Sequence, residues 1–132
     1  GDTLGILEGV PGVPALDARV TGMLAGLGAL RSQIKVVSKL RTDCDQTKGA
    51  TAAQTMLTAN QNLTAIYGAC GPPILGALEA IDNAGLAPED IVVVGFDALP
   101  DELTAVVSVV FHTAGSSPPA ELQPLLIASG QA

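Results

Sequence analysis

Ile91-Val92-Val93-Val94, followed at once by Gly95-Phe96-Asp97, is the stretch that decides the fold. Four consecutive branched apolar residues with no polar partner between them predict a strand covered on both faces, as in a parallel sheet. The glycine and acid behind it mark where the strand ends. Upstream, the same unit recurs. Residues 4–8 (Leu-Gly-Ile-Leu-Glu) are a short apolar run closed by Gly9, and Pro11, Gly12 and Pro14 force a loop. Leu16, Val20, Met23, Leu24 and Leu27 then recur at helical spacing through residues 15–28. Residues 33–39 read as a second strand, Thr42-Asp43-Cys44-Asp45 as a polar turn, and residues 46–59 as a second helix, broken by Asn60-Gln61-Asn62. Leu63 to Tyr67 is the third strand. Pro72 and Pro73 fall in the first turn of a helix, where proline is tolerated, and that helix ends near Gly85, a C-terminal cap position. Downstream of Asp97 the pattern predicts a short helix near 100–106, a fifth strand around Val107–Phe111, a loop at Gly115-Ser116-Ser117-Pro118-Pro119 and a last helix over 120–129.

Strands alternating with helices imply parallel pairing through right-handed crossovers. The expected architecture is a single α/β domain over residues 1–132: an open, doubly wound, mostly parallel five-stranded sheet of flavodoxin-like type in the order 2-1-3-4-5. No internal repeat or low-complexity segment interrupts it.

Composition narrows the function classes. The 132 residues are 48% hydrophobic and only 14% charged, which is core-forming material, and Phe96, Phe111 and Tyr67 are the full aromatic set. Ala, Val, Leu and Ile must therefore build the core. No apolar run approaches the ~20 residues of a membrane-spanning helix, so no membrane insertion is expected. No secretory signal is present, so the chain is either cytoplasmic or lacks a leader that was removed or never included. All six basic residues (Arg19, Arg31, Lys35, Lys39, Arg41, Lys48) lie in the first 48 positions, and the remainder carries eight acids and no base. Without a basic stripe to release counterions, nucleic acid is not an expected partner, and neither is an anionic membrane surface.

Four stretches together carry a resemblance. Ile6-Leu7-Glu8-Gly9-Val10-Pro11-Gly12 with Asp17-Ala18-Arg19, Asp43-Cys44-Asp45-Gln46-Thr47-Lys48-Gly49, Ile74-Leu75-Gly76-Ala77-Leu78, and Val92-Val93-Val94-Gly95-Phe96-Asp97-Ala98-Leu99-Pro100-Asp101 look like the C-terminal lobe of type I periplasmic sugar-binding proteins. These are the ribose-binding-like members, related to LacI-type effector domains. The likeness runs from about residue 4 to 106. It implies a solute receptor of an ABC importer, periplasmic or extracellular, that takes a sugar-like small molecule, hands it to an ABC permease and needs no cofactor or metal.

By the same resemblance, Arg19 matches an arginine that hydrogen-bonds sugar hydroxyls and Asp97 a carboxylate that does so from the end of the fourth strand. A guanidinium fork and a carboxylate suit a polyhydroxylated ligand. Cys44 stands where the family often has an aromatic that stacks on the sugar. Cys70-Gly71 replaces an Asn-Asp pair, and Gly115-Ser116-Ser117 stands where a Gln is usual. The expected ligand-binding set is Arg19, Cys44, Cys70 and Asp97. The resemblance covers one lobe of a two-lobed clamp that buries its ligand by closing. Tight binding by a monomer is therefore not expected, and the uncovered face favours a homodimer.

The residues also permit sharper readings. Cys44, Cys70, Asp97 and His112 follow strands two to five and would gather at one edge. A small hydrolase would use Cys70 as nucleophile, His112 as base and Asp97 to orient it, with the Gly71 amide as oxyanion donor. The turn Gly68-Ala69-Cys70-Gly71-Pro72 comes near a nucleophile elbow, but Pro72 stands where a second Gly is wanted. Two thiolates, an imidazole and a carboxylate also form a metal set, at a spacing no zinc motif uses. The cysteines themselves follow strands separated by one other, ~10 Å apart from twice the sheet spacing. That favours free thiols, and a disulfide requires the two loops to lean together. Gly9, Gly12, Gly71 and Gly95 suggest backbone approach to a phosphate, but no G-x-G-x-x-G or P-loop lysine accompanies them. Asn62-Leu63-Thr64 fits a glycosylation acceptor, a frequent chance match.

Overall fold

A computed structural model describes residues 1–87 and 89–113 of the chain. The elements are β1 (Asp2–Glu8), α1 (Pro14–Gly26), a 3-10 turn (Gly28–Ser32), β2 (Ile34–Arg41), α2 (Gln46–Ala59), β3 (Ala65–Gly68), α3 (Gly71–Asn83), β4 (Val92–Val94) and α4 (Pro100–Thr113). Among the described residues the strands form one sheet in the order β2-β1-β3-β4, and every pairing is parallel. The α/β class, the parallel pairing and the order of the first four strands agree with the sequence reading.

Side-chain alternation along β1 explains why helices cover both faces. Leu4 and Ile6 turn to one face, where Tyr67, Ala69 and Val20 of α1 complete a small cluster. Leu7 turns to the other face and joins Ile66, Met56, Ala53, Ile74, Ala77 and Ile81 beneath α2 and α3. With so few aromatics, this second cluster depends on close backbone approach. A Cβ on Gly49 would lie 2.5 Å from the Pro73 carbonyl oxygen, and one on Gly76 would lie 2.5 Å from the Ala50 nitrogen. The two glycines let α2 and α3 touch backbone to backbone.

Each helix start has a local cause. Asp45 caps α2, its carboxylate accepting the Lys48 N–H at 2.8 Å. Pro14 opens α1 and Pro72 sits in the first turn of α3, where the missing N–H costs nothing. Gly85 takes φ +76° just past α3 and stops it.

Two expectations need correction. The fifth strand expected at Val107–Phe111 is instead the second half of α4. Pro100 and the acids Asp101 and Glu102 start that helix, and the Glu102 carboxylate accepts the Leu99 N–H at 2.7 Å. No glycine or proline follows before position 113 to stop it. The second correction concerns β4, expected to be covered on both faces. Ile91 and Val93 pack inward, but Val92 is 62% and Val94 48% exposed. α1 covers β1 and β3, and its cluster does not reach β4. The expected last helix over 120–129 and the Gly115-Ser116-Ser117 loop lie outside the described residues. The contacts divide the chain into Gly1–Asp97, which holds the four described strands, and Ala98–Ala132, which contains α4.

Candidate functional site

Parallel strands all end on one side, so the loops after β1, β3 and β4 converge on a common rim, where ligands bind in open α/β sheets. Arg19, in the second turn of α1, reaches across it. One guanidinium nitrogen (Nη1) donates to the Ala69 carbonyl at 2.9 Å and to Asp97 Oδ2 at 3.3 Å, and Nη2 lies 3.2 Å from Asp97 Oδ1. The guanidinium carbon sits 3.9 Å above the centre of the Phe96 ring, within cation–π range. From behind, the Tyr67 hydroxyl donates to the Arg19 backbone carbonyl at 3.2 Å.

Two of the five guanidinium N–H donors are thus hydrogen-bonded among the described residues, a third nitrogen contact is the ion pair with Asp97, and donors remain over. The Asp97 carboxylate keeps lone pairs of its own. A rigid donor next to a rigid acceptor matches a pair of neighbouring hydroxyls. Asp97 holds this position at φ +80°, with Ala98 after it at +49°. Such conformations cost a non-glycine residue on the order of 1–2 kcal/mol and cluster at functional sites.

Cys44 and Cys70 form a disulfide, with Cα atoms 5.5 Å apart. This corrects the expectation of free thiols. The bridge passes over the end of β1 because Gly9 lies there: a Cβ on Gly9 would sit 3.1 Å from Cys70 Sγ, 3.2 Å from Cys44 Sγ and 2.7 Å from Leu16 Cδ1. The β2–α2 turn is drawn over the same spot. The Thr42 hydroxyl and N–H both donate to the Glu8 carbonyl, at 2.7 and 3.0 Å. Asp43 and Cys44 follow at φ +52° and +55°. The Lys48 ammonium pairs with the Asp43 carboxylate at 2.5 Å, which raises the lysine pKa on an exposed surface.

A bridged Cys70 has no thiolate to offer as a nucleophile. The His112 side chain lies outside the described residues, and no group of three His, Cys, Asp or Glu able to hold a metal occurs among those described. The structure therefore brings Arg19 to Asp97 and Cys44 to Cys70, all on the rim. Sequence reasoning missed Phe96 and Tyr67 as partners of Arg19. The Gly-Phe-Asp turn was visible, but nothing in its spacing says that the ring lies beneath a guanidinium from another crossover.

A family profile described as a periplasmic binding protein domain matches residues 1–129. The chain belongs to the periplasmic binding protein family. The ribose import binding protein RbsB of Bacillus subtilis is 36% identical over 100 residues, covering 76% of this chain and 31% of that protein. The D-allose-binding periplasmic protein of Escherichia coli is 34% identical over 101 residues, covering 76% of this chain and 32% of that protein. An ABC transporter solute-binding protein of Actinobacillus succinogenes, solved with bound D-allose, superposes with a TM-score of 0.71 at 26% identity, over 89% of this chain and 48% of that one. The chain thus spans about a third of the length of the curated relatives it matches. As a member of this family it has the flavodoxin-like lobe that the four sequence stretches indicated.

Tyr67 yields a pH prediction. Burial pushes its phenol above the ordinary value near 10, with the Arg19 charge opposing more weakly. The folded state thus holds the phenolic proton more tightly than the unfolded chain does. The stabilisation is complete below pH ~10 and is lost as pH rises through the raised native value. Denaturant midpoints should fall above pH ~10 in the wild type and fall less in Tyr67→Phe. Because Tyr67 is the single tyrosine and there is no tryptophan, absorbance near 295 nm follows that one titration.

Proposed function

We propose that this chain is one lobe of a solute receptor for an ABC importer, and that it binds a monosaccharide-type polyol at the rim through Arg19 and Asp97. Cys44 and Cys70 line the same edge as a bridged pair. The observation that carries this reading is the Arg19–Asp97 fork. A guanidinium held on three sides stands beside a carboxylate held in a strained turn, at the carboxyl ends of a parallel sheet. The relatives named for ribose and for D-allose support a sugar as the ligand class. Such a receptor works in the periplasm or outside the cell and hands its ligand to a membrane permease; its chemistry needs no cofactor.

Val10 and Val13 of the β1–α1 loop and Phe96 at the fork are exposed, and one lobe leaves half of a ligand in water. A second copy meeting this edge gives a homodimer that covers both. The experiment is a titration of ribose and D-allose into the 13.2 kDa chain, followed by amide NMR shifts with light scattering on the same samples. Saturable shifts centred on Arg19, Phe96 and Asp97, at millimolar sugar and stronger where the mass doubles, are expected. No shift with any pentose or hexose overturns the receptor reading, and a constant monomer mass overturns the dimer.

A further inference from the structure

The rim carries one covalent link that the hydroxyl-binding chemistry does not use. The Cys44–Cys70 bridge ties the β2–α2 turn to the residue that begins α3, across the end of a third strand. We propose that this disulfide is a positioning element for Arg19: it fixes the Ala69 carbonyl that anchors the guanidinium, so that opening the bridge weakens ligand binding without unfolding the lobe.

The argument starts from a single peptide plane. The Ala69 carbonyl lies in the plane that joins Ala69 to Cys70. At one end, the Ala69 N–H donates to Leu7 at 3.0 Å and is part of the sheet. At the other end, Cys70 caps α3 without any side-chain hydrogen bond to the helix, so its side chain is held by the bridge. With both ends fixed, the carbonyl points at Arg19 Nη1, 2.9 Å away. Release of Cys70 frees that end.

The other half of the bridge is poised to move. Asp43 and Cys44 are consecutive non-glycine residues in the left-handed region, at φ +52° and +55°. The Asp45 N–H donates to the Thr42 carbonyl at 2.9 Å and closes this turn, and Asp43 pairs with Lys48. The bond to Cys70 holds the Cys44 side chain over Gly9. Once the bond opens, the Cys44 backbone can return to an ordinary φ and carry its sulfur off the end of β1. Cys44 is only half-buried, so a reductant has access. With a dithiol the exchange balances: two electrons and two protons pass to the protein, the S–S bond becomes two thiols, and the dithiol closes to its own disulfide. Arg19 would keep Asp97 and Phe96, lose its carbonyl anchor and sample other orientations.

The test compares the oxidised protein, the same protein after mild dithiol treatment, and the Cys44→Ala/Cys70→Ala variant. Side-chain NMR of arginine gives a readout that needs no sugar. In the oxidised protein the Arg19 Nη signals should be resolved by hindered rotation; in the other two forms they should collapse while backbone amides keep the native pattern. Ribose titration then reads the consequence, an affinity about tenfold lower, as expected for one lost charge-assisted hydrogen bond. Arg19 signals that stay resolved in the opened forms overturn the proposal, as does unchanged ribose affinity, and so does unfolding of both opened forms. The affinity arm rests on the receptor reading. If the oxidised protein binds no sugar, that reading fails, and the arginine signals still decide the positioning role.

Discussion

Gly76→Ala is expected to destabilise the domain by at least about 3 kcal/mol, the upper range for forcing extra volume into a packed interior. Intrinsic propensity points the other way, since alanine favours a helix over glycine by about 1 kcal/mol. Steric contact decides the sign. The new methyl would meet the Gln46 carbonyl oxygen and lie 2.5 Å from the Ala50 nitrogen and 3.1 Å from the Gly49 carbonyl carbon. All three atoms are backbone, so no side chain can swing aside. Relief requires α3 to lift from α2, and Met56, Ala53, Ile74, Ala77 and Ala80 would lose their contacts together. Gly22→Ala in α1 is the control, because nothing lies within 4 Å of its Cβ position. There the propensity term acts alone, and stability should rise by up to about 1 kcal/mol. Urea midpoints at constant slope measure both. Equal shifts in the two variants would refute the helix-contact argument.

That contact shows why some of the fold was legible in the sequence and some was not. Helix and strand periods, with glycine and proline as stops, gave the first four strands and three helices, because each depends on local spacing. Parallel order followed from chain alternation. The run from Val107 to Phe111 failed, since a short branched apolar segment fits a buried strand or a helix equally well; what settles it lies upstream, in the Pro100-Asp101-Glu102 helix start. The site divides in the same way. Arg19 and Asp97 were placed on one rim by topology and by family likeness. The disulfide was misjudged because the ~10 Å estimate assumed loops rising straight from their strands. Gly9 was the available signal: an end of β1 without a side chain lets two loops meet above it. Phe96 and Tyr67 left no signal, because their meeting with Arg19 depends on tertiary packing and no periodicity records it.

Asp97→Gly should separate stability from binding. At φ +80° a glycine is relaxed where the aspartate is strained, a gain on the order of 1 kcal/mol. The variant also loses the pair with Arg19, whose side chains are 24% and 39% exposed. A pair so open to water is worth about 0–1 kcal/mol after screening. The two changes nearly cancel, so the denaturant midpoint should move by less than about 1 kcal/mol. Binding has no such compensation. The ligand would lose an ionised acceptor, and Arg19 would lose the group that orients its fork towards neighbouring hydroxyls. Charge-assisted hydrogen bonds at about 1.5–3 kcal/mol each put the loss near 100-fold. Asp97→Asn is the intermediate case. Asparagine tolerates left-handed backbone and keeps one acceptor oxygen, so its affinity should lie between the two at near-native stability. If Asp97→Gly binds ribose as well as the wild type, Asp97 is outside the site. If instead the lobe melts with it, the strained turn is part of the scaffold and the fork was built for stability.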